Sequence, residues 1–110
     1  IEGIRHYSHL HGLLPRLGYF LGEENRIPVD YDEVLAAIAP RPVRVVAPSL
    51  DRYAPVDDVS VAVEAARQSY RMLGAESALE FHTPSGFNGL VEEWARQEEL
   101  IDWLAERAGI

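Results

Sequence analysis

The chain has 110 residues, 47% of them hydrophobic, and its formal net charge is −8 at pH 7. Its length fits one domain or part of one, and its apolar content is enough for a folded core rather than a disordered tail. The negative charge argues against nucleic acid and anionic membrane surfaces as partners, and no apolar run reaches the length of a membrane span.

Two reactive residue types, cysteine and lysine, are absent from the sequence, and this excludes several kinds of catalytic chemistry. The chain contains no cysteine, which excludes disulfides, thiol nucleophiles and cysteine-bound metals and leaves the compartment open. All ten basic residues are arginines, so there is no lysine to form a Schiff base.

Residues 1–29 show neither a helical nor a strand period and predict an irregular, loop-rich N-terminal segment. Its three histidines, His6, His9 and His11, are spaced so that two imidazoles fall together on one helical turn or one strand face. Zinc needs three or four ligands with supporting contacts, and no carboxylate lies within this run. We therefore predict ordinary loop histidines and no metal site.

A clearer pattern begins at Asp30, which is a suitable N-cap for a short helix to about Ile38. Pro40 and Pro42 end this helix. The β-branched run at 43–47 then predicts a strand.

The second half of the chain predicts a helix, a strand and a helix. Asp57 or Asp58 is the predicted cap of a helix that runs to about Leu73, and Gly74 ends it in a left-handed conformation. The remaining predicted elements are a strand at 78–82, a turn at 84–86 and a final helix at about 88–107.

Apolar residues at helical spacing predict a buried face on each of the two longer helices. In the first helix they are Val59, Ala62, Val63, Ala66, Tyr70 and Leu73, and in the last Leu90, Trp94, Ile101, Leu104 and Ala108.

This order of elements predicts an α/β fold with two parallel strands, a crossover helix between them and flanking helices. Two parallel strands do not bury both of their faces alone, so they need neighbours. We therefore predict the end of a larger sheet, completed by a second chain, by an N-terminal fragment or by a second copy in a homodimer.

Asp51 is the first candidate functional residue, because it follows the predicted strand at 43–47. Open α/β sheets place ligands and reacting groups at the carboxyl ends of their strands. The alternative is a turn-forming aspartate whose side chain accepts a hydrogen bond from its own backbone.

Two stretches resemble the C-terminal part of the α/β-hydrolase fold, closest to the dienelactone-hydrolase and acyl-peptidase-like esterases. They are Ala39-Pro40-Arg41-Pro42 with the strand and the loop Leu50-Asp51-Arg52-Tyr53-Ala54-Pro55, and Leu79-Glu80-Phe81-His82 with the turn Pro84-Ser85-Gly86-Phe87-Asn88-Gly89-Leu90. The resemblance makes 30–110 a hydrolase-like segment. It implies a serine-esterase-type hydrolase without cofactor, in which Asp51 is the acid of a Ser-His-Asp triad.

The sequence departs from that family in two ways. The Gly-x-Ser-x-Gly nucleophile elbow is absent, so the nucleophile is expected in sequence outside this chain and the isolated chain is expected to be inactive. Asn88 stands at the position of the histidine, and an amide cannot act as a base near neutral pH. Asn88 also suits the N-cap of the last helix.

His82 is the remaining candidate base, at the end of the second predicted strand. It is either a displaced base or a half-buried strand histidine with no catalytic role. The sequence therefore leaves three hypotheses open. The chain is the C-terminal portion of a serine esterase that contributes the triad acid, or it is a catalytically degenerate hydrolase-like module for binding or assembly. The third is a free-standing small α/β domain that dimerises through its open strand edge.

Overall fold

The computed structural model describes residues 19–20, 22–52, 54–87 and 96–109. Its helices and strands are, in chain order, α1 (Tyr31–Ile38), β1 (Val43–Val46), α2 (Val56–Met72), β2 (Leu79–His82) and α3 (Gln97–Ala108). Short 3-10 turns at Glu24–Arg26 and Glu76–Ala78 precede α1 and β2. The predicted order of helices and strands from Asp30 onward is confirmed, and the fold is a small α/β arrangement.

The two strands pair in parallel, with Val43 opposite Leu79 and Val46 opposite His82. The predicted parallel pairing is therefore confirmed. Each strand is one residue shorter than its sequence pattern predicted.

The hydrophobic core lies on one face of this sheet, where α2 packs against the strands and α1 packs against α2. Because side chains alternate between the two faces of a strand, Arg44 and Glu80 lie on the opposite face. The fully buried members are Val63, Ala66, Tyr70 and Leu79, and the strand residues that pack against them are Val43, Val45 and Phe81.

The start of α1 follows the prediction, and the start of α2 does not. The Asp30 side chain accepts a hydrogen bond from the Tyr31 backbone, and Glu33 completes a capping box. α2 has Pro55 at its N-cap, so Asp57 and Asp58 lie within its first turn. In that turn their charges are favoured by the positive end of the helix dipole.

The end of α2 shows one prediction that is confirmed and one that is wrong. Gly74 has φ +67°, as expected for a left-handed residue after a helix. Leu73 was predicted to be buried, but it is 58% exposed because the helix has already ended at Met72.

The prediction for the last helix is also wrong in part. Its start was predicted at about residue 88, but α3 begins at Gln97 with Arg96 at its N-cap, so Asn88 does not cap it. Ile101 and Leu104 are 60% and 51% exposed, and α3 turns Trp103 and Arg107 toward the sheet instead. Leu90 and Trp94 lie outside the described residues. No helix within the described ranges is long and apolar enough to cross a membrane.

Candidate functional site

The loops that follow the two strands lie side by side. The backbone N–H of Ala47 donates to the carbonyl of His82 across 2.9 Å, and Ser49 donates to Pro84 across 2.9 Å. A third bond of 2.9 Å joins the Leu50 N–H to the Gly86 carbonyl. The pairing thus continues beyond β1 and β2, and joins the loop before Asp51 to the turn after β2.

Asp51 lies at this edge and is partly buried. Its Oδ1 accepts a hydrogen bond of 3.3 Å from the Ala54 backbone, and its own N–H donates to the Pro48 carbonyl across 3.2 Å. This is the turn contact that the sequence offered as the alternative to catalysis. The contact also fixes the carboxylate on a supported loop, as an orienting acid requires.

Each of the two bonded segments carries one large apolar side chain that is exposed. Leu50, which precedes Asp51, is 52% exposed, and Phe87, which follows the bonded Gly86, is 76% exposed. Ala47 and Pro48 are buried beneath the loop. The two bonded segments therefore carry an acid and two exposed apolar side chains next to buried residues of the chain.

The described part of the second turn ends at Phe87, so Asn88 lies outside the described residues. His6, His9 and His11 do so as well. Their predicted roles stay predictions.

His82 lies on the face of the sheet opposite the hydrophobic core, the face that also carries Arg44 and Glu80. Its Nε2 lies 3.1 Å from Oε2 of Glu80, two residues earlier on the same face. An ionised carboxylate only accepts hydrogen bonds, so Nε2 carries the proton. An imidazole held by a carboxylate is the arrangement of a base and its orienting group, but the partner here is Glu80 rather than Asp51.

Glu80 binds three side chains, two of them from α3. The indole Nε1 of Trp103 donates to its Oε1 across 2.9 Å, and the guanidinium of Arg107 donates to the same oxygen. The hydrogen bond from Trp103 is the largest cause that lowers the pKa of Glu80, followed by those from Arg107 and His82 and the positive charge of Arg107. Burial opposes them, and the pKa falls from 4.5 to about 2.

Arg44 faces this cluster from β1, where it is the register partner of Glu80. Its side chain is only 9% exposed, and within the described ranges its ion-pair partner is Glu99, at 3.7 Å between Nη2 and Oε2. The Nε atom of Arg44 is buried and has no hydrogen-bond partner among the described residues.

The sequence did not indicate the cluster around Glu80. Alternation along β2 places Glu80 and His82 on one face, and this is the signal that was available. Trp103 and Arg107 gave no such signal, because their contact depends on how α3 crosses the sheet.

Within the described ranges, no three side chains of histidine, aspartate or glutamate come together in a way that could hold a metal ion. Comparison with known proteins found no matching family model, no matching curated protein and no matching solved structure. The function is therefore inferred from the residues and their geometry.

Proposed function

We propose that this chain is the C-terminal portion of a serine-esterase-type α/β hydrolase and contributes the triad acid, Asp51. The joined carboxyl ends of β1 and β2 support this most strongly, because two backbone bonds hold the Asp51 loop against the turn after β2 and a third joins Ala47 to the end of β2. In an open parallel sheet that edge carries the reacting groups.

In this mechanism Asp51 holds a histidine in the correct tautomer. The histidine takes the proton from a serine hydroxyl as the serine attacks the ester carbonyl, and Asp51 stabilises the imidazolium that forms. Backbone N–H groups stabilise the oxyanion, and the proton then passes to the leaving alcohol. The serine and the oxyanion donors lie in sequence outside this chain. The base is His82, an N-terminal histidine or a residue of another chain.

The same proposal defines the partner. A second chain, an N-terminal fragment or a second copy of this chain completes the sheet, since two parallel strands are rarely stable without neighbours. No cofactor takes part in the reaction.

The test is ester hydrolysis by the full-length protein on p-nitrophenyl acetate. Asp51→Asn should lower kcat by about 10²–10⁴-fold, because an amide holds the imidazole in the wrong tautomer. Asp58→Asn is the matched control, since Asp58 is exposed in the first turn of α2, and it should keep kcat within about twofold of wild type. Equal activity of wild type and Asp51→Asn would contradict the proposal.

A degenerate hydrolase-like module for binding or assembly is the second candidate. Asn88 at the base position favours it. The contact of His82 with Glu80 favours it as well, because His82 is the histidine among the described residues and its ring contacts a carboxylate other than Asp51. Asn88→His should then raise esterase activity by about 100-fold or more, which is what general base catalysis contributes. If wild type is already active and Asn88→His adds nothing, this second candidate is wrong.

A further inference from the structure

α3 is attached to the rest of the molecule differently from α1 and α2. Like α1 it has no buried residue, but unlike α1 it contributes no described side chain to the hydrophobic core or to the apolar residues packed against it. Its side-chain bonds to the sheet are those of Trp103 and Arg107 to Glu80, and the longer ion pair of Glu99 with Arg44. Among the described residues, the side-chain hydrogen bonds from α3 to the sheet therefore all end on one carboxylate.

A second cation lies within reach of that carboxylate. Arg44 lies directly across from Glu80 on the neighbouring strand, and paired strands are only about 4.8 Å apart. An arginine side chain spans that distance. In the structure, however, Trp103 and Arg107 occupy Oε1 of Glu80 and His82 occupies Oε2.

Arg44 is left incompletely paired as a result. Its buried Nε has no hydrogen-bond partner in the part of the chain that the structure describes, and Glu99 lies too far away for a hydrogen bond. A buried donor without a partner is unfavourable, so the docked position of α3 leaves Arg44 in an unfavourable state.

We propose that α3 is a detachable helix that docks by taking Glu80 from Arg44, and that Arg44 pairs with Glu80 when α3 leaves. Glu80 keeps a cationic partner in both arrangements. That partner is Arg107 when α3 is docked and Arg44 when α3 has left. Undocking brings Arg107 into water, where an unpaired cation is solvated. This device does not depend on the proposed esterase activity.

Hydrogen–deuterium exchange of the full chain tests the proposal. Arg44→Met removes the competitor and should slow exchange of the α3 amides by about tenfold, because the undocked state then loses the Arg44–Glu80 ion pair that stabilises it. Arg107→Met should speed exchange of α3. Arg71→Met is the matched control, because Arg71 pairs with Glu76 on an exposed surface and should leave α3 unchanged.

The effect of Arg44→Met must also depend on Glu80. In a Glu80→Gln background there is no carboxylate to compete for, and Arg44→Met should change α3 exchange by less than about twofold. Unchanged or faster α3 exchange in Arg44→Met would overturn the proposal, as would slowing that persists with Glu80→Gln. Slow exchange of the Val63–Tyr70 amides shows that each variant is folded.

A second measurement needs no change at position 44. In Arg107→Met the Nε proton of Arg44, followed by NMR, should become protected from exchange with water because it now bonds to Glu80. If its exchange remains at the wild-type rate, Arg44 does not take the carboxylate and the proposal is wrong.

Discussion

The carboxylate of Glu80 links β2 to α3 and holds His82 on the same face of the sheet. Its pKa of about 2 means that it is ionised throughout the neutral range. A carboxyl with a pKa lowered by folding contributes stability above its unfolded pKa, and that contribution is lost as the pH falls through the folded pKa.

We predict that the free energy of unfolding of wild type falls between about pH 4.5 and pH 2 as Glu80 is protonated. Over this pH range the free energy of unfolding of wild type should fall more than that of Glu80→Gln, by about 3 kcal/mol at most. Urea unfolding at a series of pH values measures it. Glu76→Gln changes a carboxylate in an exposed ion pair and should keep the wild-type profile. Parallel profiles of wild type and Glu80→Gln would show that the Glu80 contacts do not stabilise the fold.

Tyr70 is the second residue with a specific contact. It is fully buried, and its hydroxyl donates to the Arg41 carbonyl across 2.9 Å, which ties α2 to the segment before β1. Tyr70→Phe keeps the ring and leaves that carbonyl unpaired, so it should cost about 1–2 kcal/mol in urea unfolding. Tyr31→Phe, at a tyrosine that is 53% exposed, should cost much less, and equal losses would contradict the contact.

At the scale of the element, α2 has two chemically identical residues in opposite environments. Val63 is 0% exposed in the core, and Val61 is 72% exposed. Val63→Ala should lower the free energy of unfolding by about 2 kcal/mol, because it removes buried methyl groups and leaves a cavity. Val61→Ala should change it by less than about 0.5 kcal/mol, since alanine is the better helix former. A reversed order would mean that α2 packs through its other face.

The elements that the sequence predicted correctly are those with local signals. Asp30 caps α1, Gly74 ends α2, and the β-branched run before Pro48 forms β1. Parallel pairing followed from the crossover helix between the strands.

The parts that were missed depend on tertiary contact. The apolar residues of α3 indicated a buried face, but Trp103 and Arg107 contact the sheet because Glu80 lies there. The local signals around Asp51 correctly placed it in a loop after β1, and its turn bond to Ala54 was one of two alternatives. Its role stays a prediction, because the histidine that it would orient cannot be identified from the pattern.

At the scale of the whole molecule, the parallel sheet brings two loops that are distant in sequence to one edge. Leu50 and Gly86 are bonded there, although all of α2 lies between them in the chain. If the strands ran antiparallel, Leu50 would instead lie near Ser77, at the other end of β2. The proposal for Asp51 therefore requires that Gly86, and not Ser77, is the neighbour of Leu50.

Disulfide formation measures this most directly, because the chain contains no cysteine of its own. We predict that Leu50→Cys combined with Gly86→Cys forms a disulfide under mild oxidation, since bonded neighbours lie within the distance between Cα atoms that a disulfide allows. Leu50→Cys combined with Ser77→Cys should stay reduced. A disulfide in the second pair and none in the first would contradict the parallel sheet and, with it, the site at its carboxyl edge.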